Sequence, residues 1–415
     1  MEWLVKDIWT GFNEADDTKR LTICRRDVVV AMGSAHCARK GCEPQVQKMI
    51  YDNEETTGYE WVMKKKKMLK RSLLGIAVLF IVFISIICVM FRHELKTLST
   101  LKEKNVGVYT MTYDGDYGFD EFLKTGAKCD SDVEAFVTKR LLKGLPIDLN
   151  ISEGGCTAFV FNNEEGDIIY ARNFDFPYSP FVQLFTNPDS GYASVSTVNL
   201  SFAGYDEDYL PTAGISFDNF LTLAAPFLPF DGMNEKGVCM ALLAVPEADM
   251  EDDPDKVTLN TTTVIRLVLD KAASVEEAVE LLKNYNIYFS GDITCHFLIA
   301  DATGKSVLVE YYDGGLQVVE SDTDYQIATN FIAYNGVNIG EGFTEFERYD
   351  AVEEVLQKNR SITMEECQKL LNTVGVYSEG IDKLQWSVIY NLTDKTGRIW
   401  PHRDPDKSWD FTINQ

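Results

Sequence analysis

GGCTAFVFNNEEGDIIYARNFDF, Gly154 to Phe176, is the stretch on which the fold turns. Its two apolar runs, TAFVF and DIIYA, flank the turn-rich NNEEG, a pattern that predicts a β-hairpin. A hairpin returns the end of its second strand to the beginning of its first. Arg172 and Asp175 would thereby stand beside Cys156, which follows two glycines at the mouth of the first strand. An arginine lowers the pKa of a neighbouring thiol, and the thiolate is the nucleophilic form. A carboxylate in the same place orients an amine. The same residues also describe an ordinary hairpin with a surface Arg–Asp pair and a small core cysteine, and the pattern alone leaves both open.

Working outward, the segment before Cys156 reads as folded. VGVYTMTYDGDYGF (Val106 to Phe119) alternates like a strand up to an Asp-Gly turn, and Ser131 to Leu145 has helical spacing with Ser131 as cap. After the hairpin, strands are expected at Tyr192 to Phe202 and Gly237 to Val245, then helices at Thr261 to Ala272 and Val275 to Asn284. Strands return at Cys295 to Asp301, Ser306 to Tyr312 and Tyr325 to Thr329, helices at Thr344 to Gln357 and Thr363 to Asn372, and a strand at Trp386 to Thr393. Phe176 to Pro188 and Tyr205 to Leu228 read as aromatic-rich loops lining a pocket. Strands grouped apart from helices point to a layered α+β fold and not to a doubly wound parallel sheet.

Leu73 to Phe91 is 19 residues without a charge, long enough to span a hydrocarbon core of about 30 Å. KKKKMLKR (Lys64 to Arg71) precedes it, which places residues 1–71 in the cytoplasm and everything after Arg92 outside. A cleaved signal peptide is the competing reading; the length of the run and the lack of a small-x-small site in FRHELKTLST favour an anchor over residues 72–92. Met63 directly precedes the lysines, so an over-long gene model is the alternative to a genuine tail. Residues 1–71 carry 14 Lys+Arg against 11 Asp+Glu, and residues 72–415 carry 25 against 53. An acidic domain of this kind lacks the basic stripe that nucleic-acid binding needs. Nine cysteines without a CxxC pair indicate neither a zinc site nor a disulfide scaffold, and Cys239 and Cys295 read as small buried hydrophobes.

GGCTAF…ARNFDF resembles the motif of the linear amide C–N hydrolases, a superfamily of N-terminal-nucleophile enzymes that includes choloylglycine hydrolases, penicillin V acylases, acid ceramidase-like amidases and acyltransferases related to isopenicillin N acyltransferase. DGMNEKGVCMALL (Asp231 to Leu243), ATNF (Ala328 to Phe331) and FERYDAV (Phe346 to Val352) are similar to three further family segments. The resemblance implies a four-layer αββα fold, reached after one transmembrane helix, and an enzyme without metal or organic cofactor acting on a small-molecule amide with an apolar acyl group. It implies that Cys156 is the nucleophile and that its own α-amino group is the general base. Arg172 would stabilise the thiolate, Asp175 would hold the amine, Asn234 and Asn330 would donate to the oxyanion, and Arg348 would support the charge network. The bland alternatives are a turn before Gly237 for Asn234, a strand-end cap for Asn330, a helix-surface position for Arg348, and for His296 a satisfied strand residue in place of a papain-like base. An α-amine exists only if Gly155-Cys156 is cut, so 93–155 would be an extracytoplasmic pro-segment and 156–415 the hydrolase domain. Acyl transfer by the same cysteine, and a catalytically silent membrane-anchored module on the same fold, are the competing functions. Substrate and oligomeric state are not encoded legibly.

Overall fold

A computed structural model describes residues 45–144, 147, 155–340, 343–359, 361–378 and 380–413. Gly154, the residues around it from 148 to 153, and tail residues 1–44 lie outside this set. The chain divides into two units, Met1–Ile84 and Ser85–Gln415. Helix α1 (Gln45–Met90) begins in the first. Its portion Trp61–Met90 is long and apolar enough to cross a membrane, and side chains such as Leu74, Leu79 and Phe80 point outward, exposed.

The second unit opens with α2 (Arg92–Ser99), β1 (Lys102–Asn105), β2 (Val108–Asp114), α3 (Phe119–Thr125) and α4 (Asp130–Arg140). The hairpin follows as β3 (Gly155–Asn162) and β4 (Ile168–Asp175), then β5 (Phe181–Asn187), β6 (Ser194–Asn199), β7 (Pro229–Asn234), β8 (Cys239–Ala244) and β9 (Val257–Asn260). Helices α5 (Thr261–Lys271) and α6 (Val275–Leu282) lead to β10 (Tyr285–Tyr288), β11 (Cys295–Ala300), β12 (Ser306–Tyr312), β13 (Gly315–Glu320) and β14 (Gln326–Ala328). Helices α7 (Phe343–Lys358) and α8 (Met364–Val374) and strands β15 (Leu384–Asn391), β16 (Thr396–Pro401) and β17 (Trp409–Thr412) complete it.

Two sheets face each other. One has nine strands in the order β1-β2-β5-β6-β7-β8-β11-β12-β13, the other six in the order β14-β3-β4-β15-β16-β17. Helices α5 and α6 cover the outer face of the first, and α7 and α8 that of the second, giving four αββα layers. The alternation of a strand explains why both faces of the hairpin are apolar. Cys156, Ala158 and Val160 join the core between the sheets, while Phe159 and Phe161 pack with Val352, Leu356 and Leu371 beneath α7 and α8. Local signals hold the helices in place: Asn260 and Thr263 form a capping box on α5, Thr363 and Glu366 one on α8, and Ser274 caps α6 as its position predicts.

The polar Lys102–Asn105 pairs as an edge strand with β2. Two elements depart from expectation. Helix α4 starts one residue earlier, with Cys129 and not Ser131 at its N-cap. Phe181–Asn187, expected as loop, is β5, paired in parallel with β2 from Val108↔Phe181 to Asp114↔Asn187. Its near-complete burial removes the alternation that marks a half-exposed strand. The other aromatic-rich stretch contains a 3-10 helix, Phe217–Phe227.

Candidate active site

Register places the residues. In the β3–β4 pair Gly155 lies opposite Asp175, Cys156 opposite Phe174 and Ala158 opposite Arg172. Cys156, Ala158, Arg172 and Phe174 therefore share the face between the sheets, and Gly155, Thr157 and Asp175 share the face under α7 and α8. On the inner face Arg172 donates through Nη2 to Cys156 Sγ at 3.5 Å. Its Nη1 donates to Phe230 O at 2.7 Å, and its Nε lies 3.4 Å from Asp231 Oδ2. Asp231 is fixed in turn by Trp386 Nε1 at 3.1 Å and Tyr390 OH at 2.6 Å. A fully buried guanidinium thus has a fully buried carboxylate as counter-charge, as burial of an ion requires.

The thiol is not activated by Arg172 to the extent expected from the sequence. Burial pushes the Cys156 thiol up; Arg172 and Arg348 pull it down, Asp175 opposes them, and a backbone hydrogen bond from Ala244 favours the thiolate, but the net displacement is upward. With the Gly155-Cys156 bond intact, Cys156 is 2% exposed and burial holds its thiol above the usual range.

On the outer face a second group gathers. Asn330 Oδ1 accepts from Cys156 N at 2.8 Å and from Arg348 Nη2 at 2.8 Å, so two donors fix the orientation of the amide, whose Nδ2 donates to Ala244 O at 2.8 Å. Arg348 Nη1 also donates to Cys156 O at 2.5 Å and Thr157 Oγ1 at 2.8 Å. Arg348 is 8% exposed and lies against Cys156 and Asn330, not on a helix surface. Asp175 accepts from Val376 N at 2.7 Å through Oδ1, while its Oδ2 is buried with no donor. Burial raises this carboxyl to about 6, against the pull of Arg348 and the Val376 amide.

Asn234 is a correction. Its Nδ2 donates to Leu269 O and Ala272 O at the end of α5, and its Oδ1 accepts from Lys236 N and Val238 N. These bonds close the β7–β8 turn, where Gly237 sits at φ +82° and a Cβ would come within 2.6 Å of Leu392 O. Cys156 lies at the opposite end of that hairpin, against Ala244, so the side chain has no donor left and no reach to the nucleophile. His296 is the satisfied strand residue: its ring bonds Glu310 Oε1 at 2.9 Å and Thr329 O at 2.8 Å. It braces the backbone beside Asn330. Burial would raise Glu310, yet His296 and the amides of Ala333 and Tyr334 hold it below its usual range.

Asp231 and the Ala244 amide were not foreseen as parts of the site. Asp231 had a signal, an isolated carboxylate within an apolar strand that demands a buried cation. A backbone amide has none. Two recesses flank the Gly155-Cys156 pair and share Ala244 and Ile293. One is apolar, walled by Phe174, Phe176, Phe202, Phe230 and Leu242 with Thr261 and Thr262. The other is polar and is lined by Gly155, Asp292, Asn330, Glu345 and Arg348. Among the described residues no group of three or more His, Cys, Asp or Glu gathers as metal ligands.

The family model for linear amide C-N hydrolases, choloylglycine hydrolase family, matches residues 156–381. A bile salt hydrolase/transferase of Clostridium perfringens (strain 13 / Type A) is 32% identical over 176 residues, 40% of this chain and 51% of that one. A penicillin V acylase of Pectobacterium atrosepticum is 26% identical over 221 residues, 50% of this chain and 56% of that one. The chain thus spans about half the length of the curated relatives it matches. A solved conjugated bile acid hydrolase from Clostridium perfringens, a mutant form, has a TM-score of 0.45 at 21% identity, covering 62% of this chain and 92% of its own. With more than half of its residues matched, and the match beginning on the cysteine around which both faces of the hairpin are organised, this chain belongs to the choloylglycine hydrolase family of linear amide C–N hydrolases.

Proposed function

We propose that the chain is a cysteine amidohydrolase that cuts its own Gly155-Cys156 bond and then hydrolyses a linear amide with an apolar acyl group. The observation that carries the reading is the setting of one nitrogen. Cys156 N is held by Asn330 Oδ1, and the adjacent Asp175 Oδ2 lacks a donor, an arrangement that an α-amine at that nitrogen would complete. In the first step Sγ adds to the Gly155 carbonyl, the C–N bond breaks, and the nitrogen leaves as the Cys156 α-amine. Water then hydrolyses the thioester to a Gly155 carboxylate and a free thiol.

In turnover the α-amine, with a reference pKa of about 7.7–8, takes the thiol proton as sulfur attacks the substrate carbonyl. It gives that proton to the departing nitrogen, and repeats the exchange with water to release the acid. The new ammonium and Arg172 offset the burial that raises the thiol in the uncut chain. The Ala244 amide, which favours the thiolate, and Asn330 Nδ2 would donate to the oxyanion. Phe174, Phe176, Phe202 and Phe230 offer the acyl group an apolar wall.

Cys156→Ala should lose amide hydrolysis by several orders of magnitude, whereas His296→Asn should retain a reactive Cys156. A Cys156→Ala chain that still turns over amides overturns the proposal. Acyl transfer stays in play because a relative carries both activities in its name; a new amide formed when a primary amine is added with the donor identifies it. The basic run Lys64 to Arg71, which precedes the apolar stretch within α1, supports a cytoplasmic tail and an outer catalytic domain. Protease added to intact cells should then digest the Cys156 domain and spare Lys64 to Arg71; the reverse pattern contradicts this topology.

A further inference from the structure

The geometry points to a charge rule for the leaving amine: neutral or positively charged amines are accepted, amines bearing an acidic group are rejected, and Asp292 and Glu345 set the rule. This rests on the amidase reading above. A linear amide has two arms, and the two recesses flanking Gly155-Cys156 differ in chemistry. The departing nitrogen must lie against the group that protonates it. That group is the Cys156 nitrogen, 2.8 Å from Asn330 Oδ1, and Asn330 lines the polar recess together with Gly155, the residue that cleavage would detach. The amine arm therefore enters the polar recess and the acyl arm the apolar one.

Among the described residues, the ionisable side chains lining the polar recess are Asp292, Glu345 and Arg348. The arginine is already committed, donating to Thr344 O, Cys156 O, Thr157 Oγ1 and Asn330 Oδ1. What faces an incoming headgroup is a pair of carboxylates. Glu345 lines this recess and its Oε2 has no donor in the uncut chain; a substrate N–H brought to it would satisfy it, and a second carboxylate or a sulfonate would not. Asp292 is held at φ +59° behind Gly291 at φ +61°, in a loop joined to the end of the neighbouring strand by Thr294 Oγ1 donating to Val245 O at 2.5 Å. Its carboxylate is thus presented from a braced turn. Like charges across a binding surface disfavour the wrong partner, and the excess of 53 acidic over 25 basic residues in 72–415 repels anions at longer range as well.

The test uses the cleaved full-length chain in nanodiscs and three amides of 4-phenylbutanoic acid, with glycine, glycinamide and ethane-1,2-diamine as the amine. The kcat/KM for the diamine and glycinamide conjugates should exceed that for the glycine conjugate by at least about tenfold, and added salt should compress the difference. Asp292→Asn with Glu345→Gln should bring the diamine-to-glycine ratio down by a similar factor. Equal or better turnover of the glycine conjugate by the wild-type chain overturns the rule while leaving the amidase reading intact, as does a ratio that neither salt nor the double substitution moves. Failure to cleave any of the three brings down both.

Discussion

Asp175 is the residue whose surroundings change most if the Gly155-Cys156 bond is cut. Before cleavage it is fully buried, accepts one amide hydrogen bond and has an orphaned oxygen, and burial raises its carboxyl to about 6. A folded-state pKa raised above the unfolded value of about 3.9 contributes stability that is complete below that value and is lost as pH rises through about 6. In an uncleavable Cys156→Ala chain, resistance to thermal unfolding should therefore fall between pH 4 and 7. Asp175→Asn in that background should flatten the fall, by roughly 2 to 3 kcal/mol at most. Identical pH profiles for the two chains would refute the assignment. In the cleaved enzyme the same substitution should harm turnover, because the ammonium loses its carboxylate. At this scale the sequence was legible where side chains lie in one hairpin: Cys156 stands on β3, and Arg172 and Asp175 on the strand paired directly with it. Asn330 and Arg348 were placed by resemblance alone. Asn234 misled because an asparagine before a Gly-terminated turn satisfies either role from its letters, and only its four hydrogen bonds distinguish them.

Among the elements, β2 matters most for what happens after cleavage. It lies upstream of Cys156 yet forms an interior strand of the nine-stranded sheet, between β1 and β5. Helices α3 and α4 add Phe122 and Phe136 to a ring cluster with Phe227. Tyr117 OH donates to the buried Asp270 at 2.6–2.7 Å, and Gly126 approaches Thr258 so closely that a Cβ would come within 2.1 Å of its carbonyl oxygen. The two fragments should accordingly co-elute on native size exclusion and part only in denaturant. Tyr117→Phe, which takes a donor from a buried carboxylate, should lower the denaturant needed to separate them, by about 1–3 kcal/mol in stability. Spontaneous separation of the wild-type fragments in native buffer would contradict this. The hairpin, α5, α6 and α8 were readable because caps and periodicity agree with the fold. Strand β5 was not, since a strand buried on both faces loses its alternation, and parallel pairing of residues 73 positions apart leaves no local mark.

At the scale of the molecule, a basic segment, an apolar helix and an acidic catalytic domain follow one another along the chain, and the first two are plain in composition. The layered architecture was legible as a class from the grouping of strands and helices, but strand order was not, because it depends on long-range pairings such as β3 with β14. The central claim is that a chain built around an internal cysteine becomes active by exposing it. The direct measurement is the intact mass, under denaturing conditions, of the purified chain incubated without protease. Wild type should resolve into residues 1–155 and 156–415, the second beginning with the free amine of Cys156, and Cys156→Ala should stay whole. A wild-type chain that remains whole and still hydrolyses amides at full rate would show that the α-amine is not the base.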